Sequence, residues 1–363
     1  MDFDLSDEQG MLRDLVERFA NDRYDSVKRL AYVRAPSGFS AEGWALLADT
    51  GLLAFPFAEA FGGLGGGPVE MITVMEALGR SVAVEPVLPV IILAGKIIER
   101  AGSPDQAAAL LPALTSGTQF AALAVAERNA RFGYAAIATS VGGAGAQPLL
   151  SGTKQMVLGG PYADNLVVVA RGADGALGLY LVEADAPGIT RRNYRLADGS
   201  AASDIDFAQT PATPMPGSIE ALESTLNDAR LAVCGELIGL MGMMFDATLD
   251  YLKTRNQFGQ AIGDFQAVQH RMADHYARLE LSRGQLYRAA AQSGDACVAA
   301  IAGAKAYIAA NAMTLAEDAV QLHGGIGTTE ELMVGQAFKR VLVLASLFGD
   351  SEWELQRYVA LTA

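Results

Sequence analysis

The hydrophobic period of this chain changes twice, and that double switch limits its possible folds more than any other feature. Up to about residue 115 apolar side chains recur at helical spacing. Across 117–216 β-branched runs, glycines and alternation replace that period, and from about Ser218 long helical patterns return. A helix-period pattern does not settle as a strand, or the reverse. The chain therefore reads as an α+β multidomain protein: an all-helical domain over 1–116, a β domain of barrel or sandwich type over 117–216, and a helical bundle over 217–363. Its 363 residues exceed the size at which one core usually stops growing, which leads to the same division.

Ser6-Asp7-Glu8-Gln9 has the form of a capping box, and Met11, Leu12, Leu15, Val16 and Phe19 follow at helical spacing. Further helices are predicted over 40–53, 68–79 and 87–101, and Ser103-Pro104-Asp105-Gln106 opens another with a cap and a first-turn proline. The glycine-rich run from Phe61 to Pro68 lacks both a preceding strand and a Gly-Lys-Ser/Thr ending, so it reads as a structural loop. The clearest strands are 149–158, 165–170, 177–182 and 203–207. After Ser218 four helical patterns, broken near 256–263, 294 and 324–329, predict an antiparallel four-helix bundle.

Hydrophobic residues at 51% and charged residues at 19% argue against disorder. No stretch reads as the roughly 20 apolar residues of a membrane span. The acidic start, Met1 to Leu5, is unlike a secretory signal, so a cytoplasmic location is expected. A net charge of -14 disfavours general nucleic-acid binding, so a polyanionic ligand would need individual cations or helix N-termini. Cys234 and Cys297 match no metal or redox spacing and read as buried thiols. His270 and His275 stand five apart, without the spacing of a two-histidine metal site, and read as lining a helix surface or interface. No metal is expected.

Two segments carry chemistry: Arg255-Asn256-Gln257-Phe258-Gly259-Gln260 with Phe265-Gln266 close behind, and Gln321-Leu322-His323-Gly324-Gly325. Both end a long helix in glycine and polar groups. Glycine admits close backbone approach, arginine pairs with a pyrophosphate, and glutamine amides bind sugar hydroxyls or an adenine edge. The same residues also suit ordinary helix C-caps, and periodicity alone leaves both readings open.

In order and spacing the two segments resemble the paired signatures of the acyl-CoA dehydrogenase family, and the likeness covers the whole chain. It extends to Phe3-Asp4-Leu5-Ser6, to Gly51-Leu52-Leu53 with Phe61-Gly62-Gly63-Leu64-Gly65, and to Gly152-Thr153-Lys154. Asp22-Arg23-Tyr24-Asp25, Gly65-Gly66-Gly67-Pro68-Val69-Glu70 and Leu347-Phe348-Gly349-Asp350 look most like the pimeloyl-CoA dehydrogenase small-subunit branch. The resemblance implies FAD held between subunits, with Arg255 at the pyrophosphate, Phe258 near the adenine, and Gln257 and Gln266 among the contacts. Gln321, Gly324 and Gly325 would reach the same FAD from the neighbouring chain. The strand at Met156, Val157 and Leu158 would lie against the flavin ring, with Met156 and Leu158 where the family has Trp and Thr. Ala126-Glu127-Arg128-Asn129-Ala130-Arg131 replaces the family's Thr-Glu-Pro-Gly-x-Gly-Ser segment.

The family's reaction needs a carboxylate over the substrate's α carbon, usually glutamate, and Asp350 takes that position here. Ala229, at the family's alternative base position, cannot act as one. Asp350 equally suits a helix N-cap, and Glu352 and Glu354 read as surface carboxylates. The expected activity is α,β-dehydrogenation of an acyl-CoA, for example a dicarboxylyl-CoA such as pimeloyl-CoA, with an electron-transferring flavoprotein as acceptor. The expected assembly is a homodimer or tetramer, or a two-plus-two heterotetramer with a larger paralogous subunit. A non-catalytic partner subunit is the alternative from another class, and a flavin oxidase or hydroxylase on the same fold is a third.

Overall fold

The structure is a computed structural model that describes residues 5–142 and 148–363, so Phe3 and Asp4 of the opening motif lie outside the described residues. Helices run to Thr115, strands from Ala121 to Pro214, and helices again from Ile219, as the two changes of period require. The backbone clusters into two compact units: Met1–Tyr32 with Gly67–Ala83 and Arg230–Ala363, and Val33–Gly66 with Val84–Ala229.

In the first unit α1 (Asp7–Arg23) begins with the expected capping box: Ser6 Oγ accepts from Gln9 N at 3.2 Å and Gln9 Oε1 accepts from Ser6 N at 2.9 Å. Periodicity did not predict α2 (Ser26–Arg34). It is pinned by the buried Arg29, which donates to Val82 O at 2.7 Å and to Gln336 Oε1 at 3.0 Å. α4 (Pro68–Arg80) crosses α7 (Ile219–Thr254) at glycines. A Cβ on Gly235 would lie 2.9 Å from Ile72 O, and one on Gly239 would overlap Glu76 O and lie 2.7 Å from Arg80 N. Gly239 thus serves close helix packing, not a wider pocket.

α8 (Gln266–Ala290), α10 (Met333–Ser346) and α11 (Ser351–Thr362) all pack on α9 (Gly294–His323). The last predicted pattern is two helices, because Phe348 (φ +60°) and Gly349 (φ +134°) take conformations no α-helix admits. Arg340 pairs with the buried Glu236 at 2.6 and 2.9 Å, joining α10 to α7. His275 takes the interface alternative: it is buried, and its Nε2 meets Asp318 on α9 at 2.8 Å beside Arg271. His270 is exposed. Cys234 is buried, whereas Cys297 is only partly so.

Contrary to the sequence expectation, two helices are apolar and long enough to cross a membrane by length and composition. They are Ile219–Thr254, whose most apolar window is 78% buried, and Ala296–Thr328, where the share is 50%. Packing inside the protein accounts for the hydropathy of α7.

In the second unit α3 (Ala41–Asp49) starts at Ser40, whose Oγ accepts from Gly43 N, and stops short of the predicted end where Gly51 turns left-handed at φ +78°. The segment Val87–Gly95 is a π-helix that runs into α5 (Lys96–Ala101), with Lys96 N donating to Ile91 O, five residues back. α6 (Pro104–Thr115) has the expected cap at Ser103.

The β domain is an eight-stranded sheet of β1 (Ala121–Ala124), β2 (Ser140–Gly142), β3 (Leu149–Leu158), β4 (Asn165–Arg171), β5 (Leu177–Glu183), β6 (Ile189–Arg195), β7 (Ala201–Pro211) and β8 (Thr213–Pro214). The order is β6-β7-β3-β2-β4-β5-β8, with β1 parallel on β4. Its core holds Leu150, Val157, Leu166, Val168, Val182, Ile205 and Phe207. Trp44 of α3 stacks on Phe120 at 5.6 Å and donates through Nε1 to Gly117 O, which groups this helix with the sheet.

Candidate active site

Three constellations emerge, two in the first unit and one in the second. The first lies at the ends of α7 and α9. After Thr254 the chain forms a tight hairpin, Gln257 paired with Gln260 and Asn256 with Ala261. Its two-residue turn is Phe258 (φ +55°) and Gly259 (φ +84°), the double positive φ that short hairpins favour. The turn throws the Phe258 ring outward, 92% exposed. Gly324 (φ +67°) ends α9, its N–H donating to Gln321 O and Val320 O, so the C-cap reading holds as a description of the backbone.

The two signature segments meet inside one unit. Tyr251, in the last turn of α7, stacks on His323, in the last turn of α9, with centroids 4.5 Å apart. The side chains of Arg255, Gln257, Gln266 and Gln321 are exposed and make no hydrogen bond or ion pair among the described residues. Gly259, Gly324 and Gly325 have open space where a Cβ would stand. Unpaired guanidinium, free amides, uncovered main chain and an exposed aromatic ring together suit a dinucleotide with its pyrophosphate.

The second constellation surrounds Asp350. The residue N-caps α11, with its Oδ1 accepting from Trp353 N at 2.8 Å. Glu354, one turn on, corrects the surface reading. It is 0% exposed, and its Oε1 lies 2.7 Å from Arg230 Nε while its Oε2 lies 3.2 Å from Arg357 Nη1. Glu352 is exposed as expected. Arg230 Nε also donates to Phe348 O at 3.1 Å. The fully buried Lys305 of α9 donates to Leu344 O at 3.1 Å and Ala345 O at 3.0 Å at the end of α10. Burial pushes its pKa down to about 8, against the pull of Cys234 and Glu354. Burial also pushes the Cys234 thiol up to about 12, although Lys305 opposes the shift. The sequence reading missed Lys305, although a lone lysine in Ala302-Gly303-Ala304-Lys305-Ala306 was its visible signal.

The third constellation is in the second unit, on β3. Met156 has φ +50° in a bulge of the β3–β7 pairing, is 41% exposed, and donates its N–H to Asp204 Oδ1 at 3.1 Å. Asp204 also accepts from Tyr194 OH at 2.8 Å and from Arg192. Burial and then the Asp204 bond raise Tyr194 to about 12, so its hydroxyl stays protonated. Val157 is buried between two half-open neighbours, Met156 and Leu158. Next to it the buried Lys154 reaches Glu127 Oε1 at 2.7 Å and Val125 O at 3.0 Å. Glu127 in turn accepts from Ala138 N at 2.7 Å and Thr139 N at 3.1 Å, which ties down the loop that departs from the family's pattern.

Comparison with known proteins fixes the class. Residues 6–118 match the family Acyl-CoA dehydrogenase, N-terminal domain, and residues 219–360 match Acyl-CoA dehydrogenase, C-terminal domain. The Probable acyl-CoA dehydrogenase YngJ of Bacillus subtilis is 26% identical over 99% of this chain and 98% of its own length. Among solved structures, a variant of the Tcur3481-Tcur3483 steroid ACAD is 30% identical at a TM-score of 0.89, covering 98% of this chain and 97% of its own. The ChsE4-ChsE5 complex from Mycobacterium tuberculosis is 25% identical at a TM-score of 0.90, covering 99% and 98%.

This chain belongs to the acyl-CoA dehydrogenase family. It is thereby an FAD-dependent oxidoreductase acting on acyl-CoA.

Proposed function

We propose that this chain introduces an α,β double bond into an acyl-CoA, with the Asp350 carboxylate accepting the α proton. The observation that carries this reading is the placement of Asp350 on a fixed turn at the N-terminus of α11, where the bond from Trp353 N holds its carboxylate in place. Bound FAD supplies the acceptor for the β hydride. Arg255 holds its pyrophosphate, and Phe258, Gln257 and Gln266 line the adenosine side. Gln321, Gly324 and Gly325, joined to the Arg255 segment by the Tyr251–His323 contact, would present an amide and main chain to an FAD held at a subunit interface. Met156 and Leu158 bracket the main chain that faces the flavin. The bulge at Met156 supports that role, because it turns backbone out of the ladder.

The substrate we favour is a dicarboxylyl-CoA such as pimeloyl-CoA or another bulky thioester, with an electron-transferring flavoprotein as acceptor and an oligomeric enzyme. The domain limits 1–116, 117–216 and 217–363 belong to the same proposal.

A second reading, a non-catalytic subunit that completes the site of a larger partner, has three supports. The residue at the base position is aspartate, and the loop tied down by Glu127 replaces the family's flavin-loop motif. One similar structure is also a complex, ChsE4-ChsE5, and another bears the paired name Tcur3481-Tcur3483. An anaerobic visible-absorbance titration of the purified chain with butyryl-, octanoyl- and pimeloyl-CoA decides between the two. Bleaching of bound flavin by one thioester supports the enzyme. Flavin that stays oxidised until a paralogous partner is added assigns the chain the structural role.

A further inference from the structure

The turn that bears Asp350 is unfavourable by itself. Phe348 has φ +60°, a region that bulky side chains seldom occupy, and Gly349 has φ +134°. Two helices could end and begin here without such angles, so something must hold them. Three buried polar groups do, each from a different helix. Lys305 of α9 clamps the last carbonyls of α10 at Leu344 and Ala345. Arg230 of α7 donates to Phe348 O, inside the turn. Glu354 of α11 lies beneath Gly349 so closely that a Cβ there would overlap its Oε1 and come within 2.8 Å of its Cγ.

Glu354 is the centre of this arrangement. It is fully buried, and it engages both Arg230 and Arg357. A buried carboxylate held between two guanidinium groups has one geometry available to it, because any other leaves charge unpaired in a dry site. Glu354 N also donates to Asp350 O at 3.0 Å, so the turn and the carboxylate beneath it share a backbone link.

We infer that Glu354 is a positioning residue for the dehydrogenation, fixing the Leu347–Asp350 turn through Arg230 and thereby aiming the Asp350 carboxylate. It touches no reacting atom. Its effect is felt because a displacement near 1 Å of a catalytic group costs on the order of a hundredfold in rate. The inference rests on the reading of Asp350 as the base, and the experiment separates the two.

Backbone amide exchange over 344–354 needs no substrate and is measured first, on the full chain, by mass spectrometry. Glu354→Ala should raise exchange in that peptide at least tenfold, while peptides from β3 and α8 stay as in the parent. The flavin-reduction assay with the three thioesters above then follows. Glu354→Ala should lower kcat by about ten- to a hundredfold with KM within about threefold, and Glu354→Gln, which keeps an acceptor for Arg230 Nε, should recover most of the loss. Gly349→Ala tests the same turn with every charge kept, by driving a methyl against the Glu354 carboxylate, and it should reproduce the kcat defect if Glu354→Ala does not fold. Unchanged amide exchange in Glu354→Ala, or a folded Gly349→Ala with parental exchange over the turn, overturns the inference. If instead Asp350→Asn turns over as fast as the parent, the base assignment fails while the amide result still judges the role of Glu354.

Discussion

Asp350→Asn keeps the cap on α11 and removes the base, whereas Asp350→Ala removes both. The cap is a bond from Trp353 N to Asp350 Oδ1 at 2.8 Å. Asparagine caps about as well as aspartate, while alanine costs about 1 kcal/mol, within a range of roughly 0.5–2. Loss of the negative charge at the helix start adds roughly 0.3–1 kcal/mol to either change. Asn should therefore destabilise the protein by under about 1 kcal/mol and Ala by about 1–2 kcal/mol, as read by urea denaturation. Flavin reduction by an acyl-CoA, followed anaerobically in a stopped-flow instrument, should slow by about 10²- to 10⁴-fold in both variants, the usual worth of a general base. Asp350→Glu adds the methylene that most of the family has. A gain in rate would mark the aspartate as a weakened base, and a loss would mark a site reshaped around the shorter side chain. Reduction of Asp350→Asn at the parental rate would refute Asp350 as the base. Equal stability of the Ala and Asn variants would refute the cap.

Three further outcomes are expected. Arg255→Ala should weaken FAD retention by about ten- to a hundredfold, the worth of a charge-assisted hydrogen bond, without changing the stability of the flavin-free chain, because the Arg255 side chain bonds to nothing else among the described residues; flavin retained on gel filtration would contradict this. Gly239→Ala drives a methyl into the Glu76 carbonyl and the Arg80 amide and should cost about 1–3 kcal/mol, and an unmoved urea midpoint would show that the α4–α7 crossing can yield. Lys305 releases its proton near pH 8 in the folded protein but only near its ordinary 10.5 when unfolded, so between those values the unfolded state binds more protons and stability rises with pH. The stability of the parent relative to Lys305→Met should therefore climb by on the order of 3 kcal/mol from pH 8 to 10.5, and parallel curves would refute the lowering of the Lys305 pKa by burial.

The order of the domains was legible because it depends on periodicity alone, and the caps at Ser6 and Ser103 were legible because a cap is a local device. Resemblance made the FAD segments readable, and the structure adds that Tyr251 and His323 join them, a contact between residues 72 positions apart that no local pattern encodes. Glu354 was misread because its helix starts with exposed residues, and its burial is set by Arg230, on a helix more than a hundred residues earlier. Helix α2 escaped notice because it is short and its hold on the protein is the single buried arginine Arg29. The break at Phe348 was hidden for a related reason: Phe is a poor predictor of a left-handed turn, and tertiary bonds impose it.

The π-helical stretch Val87–Gly95 has a consequence for how this chain is numbered against its relatives. A π-turn accommodates about one residue more than the α-turn it replaces, without breaking the helix. Removing one residue between Val90 and Leu93 should let the helix rewind to the ordinary pitch. Val87 and Leu88 would keep their place in the interior, whereas the same deletion within the α-helix Lys96–Ala101 would swing everything on its amino side by about 100°. Alignments that slide a gap freely through this region will therefore misplace whole faces of side chains, although the sequences on either side look continuous.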